Sequence, residues 1–146
     1  MKQPRFWVGV ASKDHVLKAI EGGFCRLCHG KNNPLKRLNP GDWIIYSSPR
    51  TALSDGGRVQ AFTAIGQVLA GEPYRFNMEG GFAFDRRDVQ FVAAQETLIR
   101  SLLNNLSFIK NKKSWGYVFR FGLLDIPEPD FQTVAAAMKA EVAITL

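Results

Sequence analysis

Cysteine and histidine are scarce, with two of each among 146 residues. Two thiols do not make a disulfide scaffold. A structural zinc site needs four ligands, which would take all of these residues at once. His15 falls on a predicted helix, away from Cys25, Cys28 and His29, so no metal is expected. Cys25-Arg26-Leu27-Cys28-His29 has the spacing of a haem-attachment motif, but that chemistry needs an export route. The Phe6–Ala11 run is too short for a signal-peptide core, and no cleavage site of the right kind follows. No apolar stretch approaches the ~18 residues of a membrane span. A cytoplasmic protein with reduced thiols is expected, and Cys25 and Cys28 read as small buried hydrophobes.

Other absences concern chemistry. Gly22-Gly23 and Gly80-Gly81 lack the spacing of a phosphate-binding loop. No pair of carboxylates stands out for acid–base work, and no acid is placed to orient a Cys–His pair. The expectation is a protein that is not an enzyme and carries no cofactor. A competing reading is an enzyme acting on a nucleoside or small metabolite, through Ser12, Tyr46, Ser47 or His29. A third is an interaction partner of a nuclease or an RNA-modification factor.

Acid is also in short supply, with 13 Asp and Glu against 19 Lys and Arg, a net charge of +6. The excess is segregated. Residues 1–50 hold nine cations and three anions, and residues 101–120 hold four cations and no anion. Residues 51–100 are nearly balanced and residues 121–146 are acidic. If folding joins the two basic segments they form one positive face, suited to a polyanion.

A length of 146 residues fits a single domain, and 46% hydrophobic residues fit a packed core. Strands are predicted at Arg5–Ala11, Asp42–Ser47, Val59–Leu69, Tyr74–Phe76, Arg86–Ala93 and Val118–Ile126. Gly66 is expected to mark a bulge. Helices are predicted from Lys13 to about Glu21, over Thr97–Leu106 and from Pro127 to about Ala143. Ser12 is placed to cap the first, and Gly22-Gly23 to stop it. The stretches 48–58 and 107–117 read as loops, the latter basic and aromatic. About six strands and about three helices in mixed order make an α+β fold, without the alternation of a doubly wound sheet.

Aromatic residues and small hydroxyls recur together: Trp7 with Ser12, Phe24 before His29, Tyr46 with Ser47 and Pro49, Phe82 and Phe84, and Ser107 with Phe108 and Trp115. An aromatic pocket with polar groups at its mouth can stack a flipped base and read its edge. Lys13, Lys31, Lys36, Arg37, Lys110, Lys112 and Lys113 are the candidates for a rim that holds flanking phosphates. For most single rings in this set, filling the core is the ordinary role. Phe108 and Trp115, flanked by Lys and Asn, are better placed for a surface.

An ordered set of short motifs resembles the EVE domain family, in particular its bacterial single-domain UPF0310 members. The set runs through Ser12-Lys-Asp14-His15-Val16, Gly22-Gly23-Phe24-Cys25, Cys28-His29-Gly30-Lys31, Pro34-Leu35 and Pro40-Gly41-Asp42-Trp43-Ile44-Ile45-Tyr46. It continues with Phe62-Thr63-Ala64-Ile65-Gly66, Phe84-Asp85-Arg86-Arg87-Asp88-Val89, Leu106-Ser107-Phe108-Ile109, Trp115-Gly116 and Phe119-Arg120-Phe121-Gly122. The resemblance covers nearly the whole chain, so residues 1–146 are expected to form one domain. It implies a PUA-like fold, a small mixed β-barrel with helices packed at its ends, and kinship with the YTH domains that read methylated adenine. It further implies a module that binds nucleic acid, DNA or RNA, and reads a modified base, with any effector supplied by another chain. By the same resemblance Phe24 falls at a cage aromatic, where related domains carry Trp. Ser12 falls at the strand-end polar position, and Phe82 or Phe84 at a second wall. Ser107, Phe108 and Trp115 fall in the family's own pocket loop.

Overall fold

The computed structural model describes residues 3–27, 32–52, 57–77, 81 and 83–142. Its strands are β1 (Phe6–Val10), β2 (Phe24–Cys25), β3 (Trp43–Arg50), β4 (Arg58–Val68), β5 (Tyr74–Asn77), β6 (Ala83–Val92), β7 (Thr97–Leu98) and β8 (Leu123–Ile126). The helices are α1 (Lys13–Gly22), α2 (Asn32–Lys36) and α3 (Glu128–Ala137), with 3-10 segments at Ile99–Asn105 and Trp115–Phe121. The sheet runs β2-β6-β4-β3-β1-β8, with β5 added to β6 and β7 to β4, and curls into a half-barrel. Among the described residues, only β1 and β3 pair in parallel, from Phe6↔Trp43 to Val10↔Ser47.

Both faces of this sheet are buried, which explains why its central strands are apolar at nearly every position. Phe6, Val8, Trp43 and Ile45 pack on one face with Phe131 and Val134 of α3 and with Ile99 and Leu102. Trp7, Ile44 and Tyr46 pack on the other with Val16 and Ala19 of α1 and with Leu35 and Leu38. Alternation along a strand thus feeds two cores. At Gly66 an added Cβ would lie 2.4 Å from Val89 Cγ1 and 3.1 Å from the Gln90 carbonyl oxygen, so β4 and β6 meet where no side chain fits.

One carboxylate joins the elements at the closed end. Asp42, 2% exposed, accepts hydrogen bonds from the Arg5 and Asn39 backbone N–H groups and from Trp7 Nε1, each at 2.9 Å. At the other end of β1, α1 begins against the loop after β3, where the Asp14 N–H donates to the Thr51 carbonyl at 2.9 Å. Ser12 makes no side-chain cap to α1, because its hydroxyl is bonded to the Asp14 carboxylate instead. Gly23, in the left-handed region, does end the helix. No helix among the described residues is long and apolar enough to cross a membrane.

Several sequence expectations need correction. Among the described residues the strands number eight, the two-residue β2 and β7 adding to the six expected. The segment predicted as a helix over 97–106 is β7 followed by a 3-10 turn. Its buried Ile99 and Leu102 are three apart while Leu98 is exposed, which is the 3-10 period. The predicted loop 107–117 and strand 118–126 divide differently. Trp115, Val118 and Phe119 pack on the core from a 3-10 turn, and the strand begins only after Gly122. The loop after β3 is shorter than 48–58, because Arg50 and Arg58 still pair. The last helix stops at Ala137, shortly before Lys139 at a positive φ of 54°. The bulge lies at Thr63, not Gly66, since the register shifts between Tyr46↔Ala64 and Ser47↔Phe62. The extra residue reverses the alternation, so that Phe62 shares a face with Ile65.

Replacing Asp42 with alanine strands the buried Trp7 indole N–H and two backbone donors. The expected loss is about 3 kcal/mol, read from the midpoint of urea denaturation at constant m-value.

Candidate functional site

Three cavities follow one another across the open ends of β1 and β3. The central one, of about 410 Å³, is lined by Val10, Ser12, His15, Arg26, Pro49, Arg50 and the 3-10 segment Phe119–Phe121. On one side it shares Val10, Pro49, Phe119 and Arg120 with a cleft of about 420 Å³, which adds Ser47, Gln60, Arg100, Lys113 and Trp115. On the other side it shares His15 and Arg26 with a slot of about 370 Å³ formed by Lys18, Phe24, Phe76, Phe84 and Arg86. Among the described residues, seven Lys and Arg line the three cavities and no carboxylate does.

The slot is aromatic and already occupied by guanidinium groups. Arg86 Cζ sits 4.2 Å from the Phe24 ring centroid and 3.5 Å from that of Phe76. Arg26 Cζ sits 3.8 Å from the Phe84 centroid. Alternation along β6 puts Phe84 and Arg86 on one face, while β5 brings Phe76 opposite Phe84. Arg86 Nε also donates to the Tyr74 hydroxyl at 3.1 Å, and that hydroxyl donates to Asp88 at 2.6 Å. Both guanidinium groups thus lie over ring faces within cation–π range.

The expected pocket residues are distributed among these cavities. Ser12 and Pro49 line the central one, Phe24 and Phe84 the slot, and Ser47, Pro49, Trp115 and Lys113 the cleft. A single pocket holding Phe24 beside Trp115 does not form. Trp7 and Tyr46 are core residues instead, 0% and 1% exposed. Ser107 and Phe108 line none of the three cavities: the Ser107 hydroxyl and the Phe108 N–H both bond Asp130 of α3, and the Phe108 ring packs edge-on against Phe119. His29, Lys31 and Phe82 lie outside the described residues.

The expected rim is rearranged as well. Lys13 pairs with Glu96 at 2.7 Å, and Lys112 donates to the carbonyls of Leu106 and Ile109, holding its own loop together. Arg37 lies 5.0 Å from the Trp7 ring centroid, and Lys36 lines a separate cavity with Arg87. Lys110 is exposed and lines none of the three cavities. The cations that do line the site and were missed are Lys18, Arg26, Arg50, Arg86, Arg100 and Arg120. A clue to Arg86 was available, since it alternates in phase with Phe84 in an aromatic strand.

A family model described as the EVE domain matches residues 5–137. The chain belongs to the EVE domain family. Its similarity to curated relatives extends over most of its length. It is 50% identical over 127 residues to a UPF0310 protein of Bacillus licheniformis, covering 87% of this chain and 86% of that one. It is 47% identical to a UPF0310 protein of Mesorhizobium japonicum, with 92% of each chain covered. It is 40% identical to the UPF0310 protein YdcG of Bacillus subtilis, with 94% of each covered. Among solved structures, a protein from Agrobacterium tumefaciens is similar with a TM-score of 0.52 at 16% identity, over 90% of this chain and 91% of that one. A hypothetical protein from Leishmania major is similar with a TM-score of 0.55 at 9% identity, over 93% and 95%. At that identity the likeness is one of fold, a mixed sheet curled into a PUA-like half-barrel with flanking helices.

Titratable groups in this EVE domain divide by burial. The Tyr46 hydroxyl donates to the Arg26 carbonyl at 3.1 Å and accepts from the Arg26 N–H at 3.2 Å. Burial pushes its pKa well up, so the phenol stays protonated and serves to hold β2 rather than to move a proton. Burial likewise pushes the Cys25 thiol up from 9.0 to about 12. At the surface, the Ser12 hydroxyl bonded to Asp14 holds that carboxyl below its ordinary value.

A raised thiol pKa has a defined effect on stability. Below pH 9 the thiol is protonated in both states; above it the unfolded chain releases a proton that the folded chain keeps until about pH 12. Stability is therefore expected to be insensitive to this group up to about pH 9 and to fall above it, and Tyr46 acts in the same direction. Urea midpoints measured from pH 7 to pH 11 check this. Peptide mapping after alkylation of the native protein should find Cys25, 0% exposed, unmodified.

Proposed function

We propose that this EVE domain is a nucleic-acid-binding module that takes one modified base in the aromatic slot and holds the adjoining backbone on the cations around it. The observation that carries this reading is the chain of three joined cavities, lined by seven cations and, among the described residues, by no carboxylate, with aromatic faces at both ends. A polyanion supplies phosphates for the cations of such a set, and a base supplies a flat group for the ring faces.

The slot suits an extrahelical or single-stranded base. Phe24 and Phe76 present stacking faces now covered by the Arg86 guanidinium, and an entering base takes those faces in its place. Each stacked ring is worth ~1–3 kcal/mol. A methyl group carried on the base buries against the same phenyl walls, worth ~0.8 kcal/mol, or a factor of about four in affinity. Arg26, which borders both the slot and the neighbouring cavity, is placed to meet the phosphate.

Titration of matched DNA and RNA oligonucleotides, with and without base methylation or hydroxymethylation, at two salt concentrations tests the reading. Expected are tighter binding of a modified strand and an affinity that drops as salt rises. Phe24→Ala should weaken binding about tenfold and leave the cooperative melt in place. Equal affinity for all strands would remove the modified base from the reading, and binding indifferent to salt would remove the polyanion.

A further inference from the structure

Ser47 is a residue that folding alone does not account for. It is 2% exposed, and its Oγ has no hydrogen-bond partner. A buried hydroxyl left unpaired destabilises a fold by roughly 1–3 kcal/mol. An alanine would fill the same place without that penalty. Ser47 also lines the cleft that holds Trp115.

The backbone around Ser47 is irregular in a way that serves the cleft. The pairing of β3 with β4 shifts twice, between Tyr46 and Ser47 and again between Ser48 and Arg50. Between the two shifts, Ser48 is tied to Thr63 by a hydroxyl–hydroxyl hydrogen bond of 2.8 Å, which anchors the distorted stretch. Gln60, on the β4 side of the second shift, has a φ of 49°, a left-handed conformation uncommon for glutamine. Bulges re-aim side chains, and strain of this kind collects at binding sites. Ser47 and Gln60 come from different strands, and both line the one cavity.

The remaining walls define the ligand. Trp115 is half-buried and braced edge-on by Phe119 at 6.2 Å, so its indole is held in a fixed orientation. Arg100 lies 5.9 Å from the indole centroid, and Lys113 and Arg120 complete a basic rim with no acid among the described residues. A ring for stacking, a hydroxyl and an amide for a polar edge, and cations for a phosphate match a nucleotide.

We propose that the Ser47–Gln60–Trp115 cleft is a second nucleotide subsite, which binds a neighbouring nucleotide of the strand whose modified base enters the Phe24 slot. The proposal rests on the nucleic-acid reading above and extends it, because the central cavity with Arg120 and Phe119 connects the two ends. Trp115 stacks the base, Ser47 and Gln60 meet its edge, and Arg100, Lys113 and Arg120 hold its phosphate.

The test uses the full chain with two probes. Thymidine 5′-monophosphate is followed by tryptophan quenching, which reports Trp115 because Trp7 and Trp43 are 0% and 3% exposed. A labelled single-stranded oligothymidylate is followed by anisotropy. Expected are quenching by the mononucleotide, a loss of about tenfold in oligonucleotide affinity for Trp115→Leu, and a loss of about fivefold for Ser47→Ala. Ser47→Ala should melt at or above the wild-type temperature, whereas a structural serine would melt lower with affinity unchanged. If Phe24→Ala weakens the oligonucleotide and the two cleft variants bind it like wild type, the second subsite is overturned and the proposed function stands. If the oligonucleotide fails to bind wild type while the mononucleotide still quenches Trp115 and Ser47→Ala weakens that quenching, the cleft is a nucleotide site and the polymer reading falls. No binding of either probe overturns both.

Discussion

The Asp42 carboxylate sets the frame on which the rest is hung. Buried and holding three N–H donors, it fixes the start of β1 against the start of β3 and orients the Trp7 indole. That pairing determines the parallel register from Phe6↔Trp43 to Val10↔Ser47. Because both faces of the sheet are buried, a slip of one residue would send Phe6 and Trp7 into each other's core. The same register carries consequences to the far end, where Val10, Ser47 and Pro49 form the floor of the cavities. A contact at the closed end therefore positions groups at the open end.

The walls of those cavities come from segments with little regular structure of their own. The 3-10 turns Ile99–Asn105 and Trp115–Phe121 are held by a few anchors, Ile99 and Leu102 in one and Trp115, Val118 and Phe119 in the other. Asp130 reaches out of α3 to secure the turn at Ser107 and Phe108, and Lys112 secures the loop that follows. Such segments can carry exposed cations because they owe the sheet only a few apolar contacts. Tyr117 and Phe121, both exposed and edge-on at 5.7 Å, lie on the same turn beside Arg120. The site is thus a rigid floor of strands under a wall of pinned loops.

Legibility in the sequence followed the strength of local signals. The strands β1, β3 and β4, the helix α1 and its glycine stop were all readable, because alternation, β-branching and Gly23 act over a few residues. The 3-10 turns were read as a helix, a loop and a strand, since a period of three differs little from 3.6 over seven residues. Among the residues expected at a pocket, Ser12, Phe24, Ser47, Pro49, Phe84, Lys113 and Trp115 line the three cavities. Trp7, Tyr46 and Phe108 look the same in one dimension, and only packing separates them. Net charge by segment hid Arg86 and Arg100, because nearby acids such as Asp85, Asp88 and Glu96 cancel them on paper while lining none of the three cavities.

By itself the sequence determined an α+β domain of the EVE family, the sign of its net charge and its supply of aromatic and basic residues. Those follow from composition, local periodicity and an ordered set of motifs, all of which are properties of the chain read in line. Tertiary structure alone decided that the aromatic residues divide into a slot at Phe24 and a cleft at Trp115 rather than one pocket. It alone placed Arg86 on the rings of Phe24 and Phe76, and left Ser47 buried without a partner. The physical reason is that these depend on strand register and bulges, which bring together residues dozens of positions apart and are set by the packing of two cores at once.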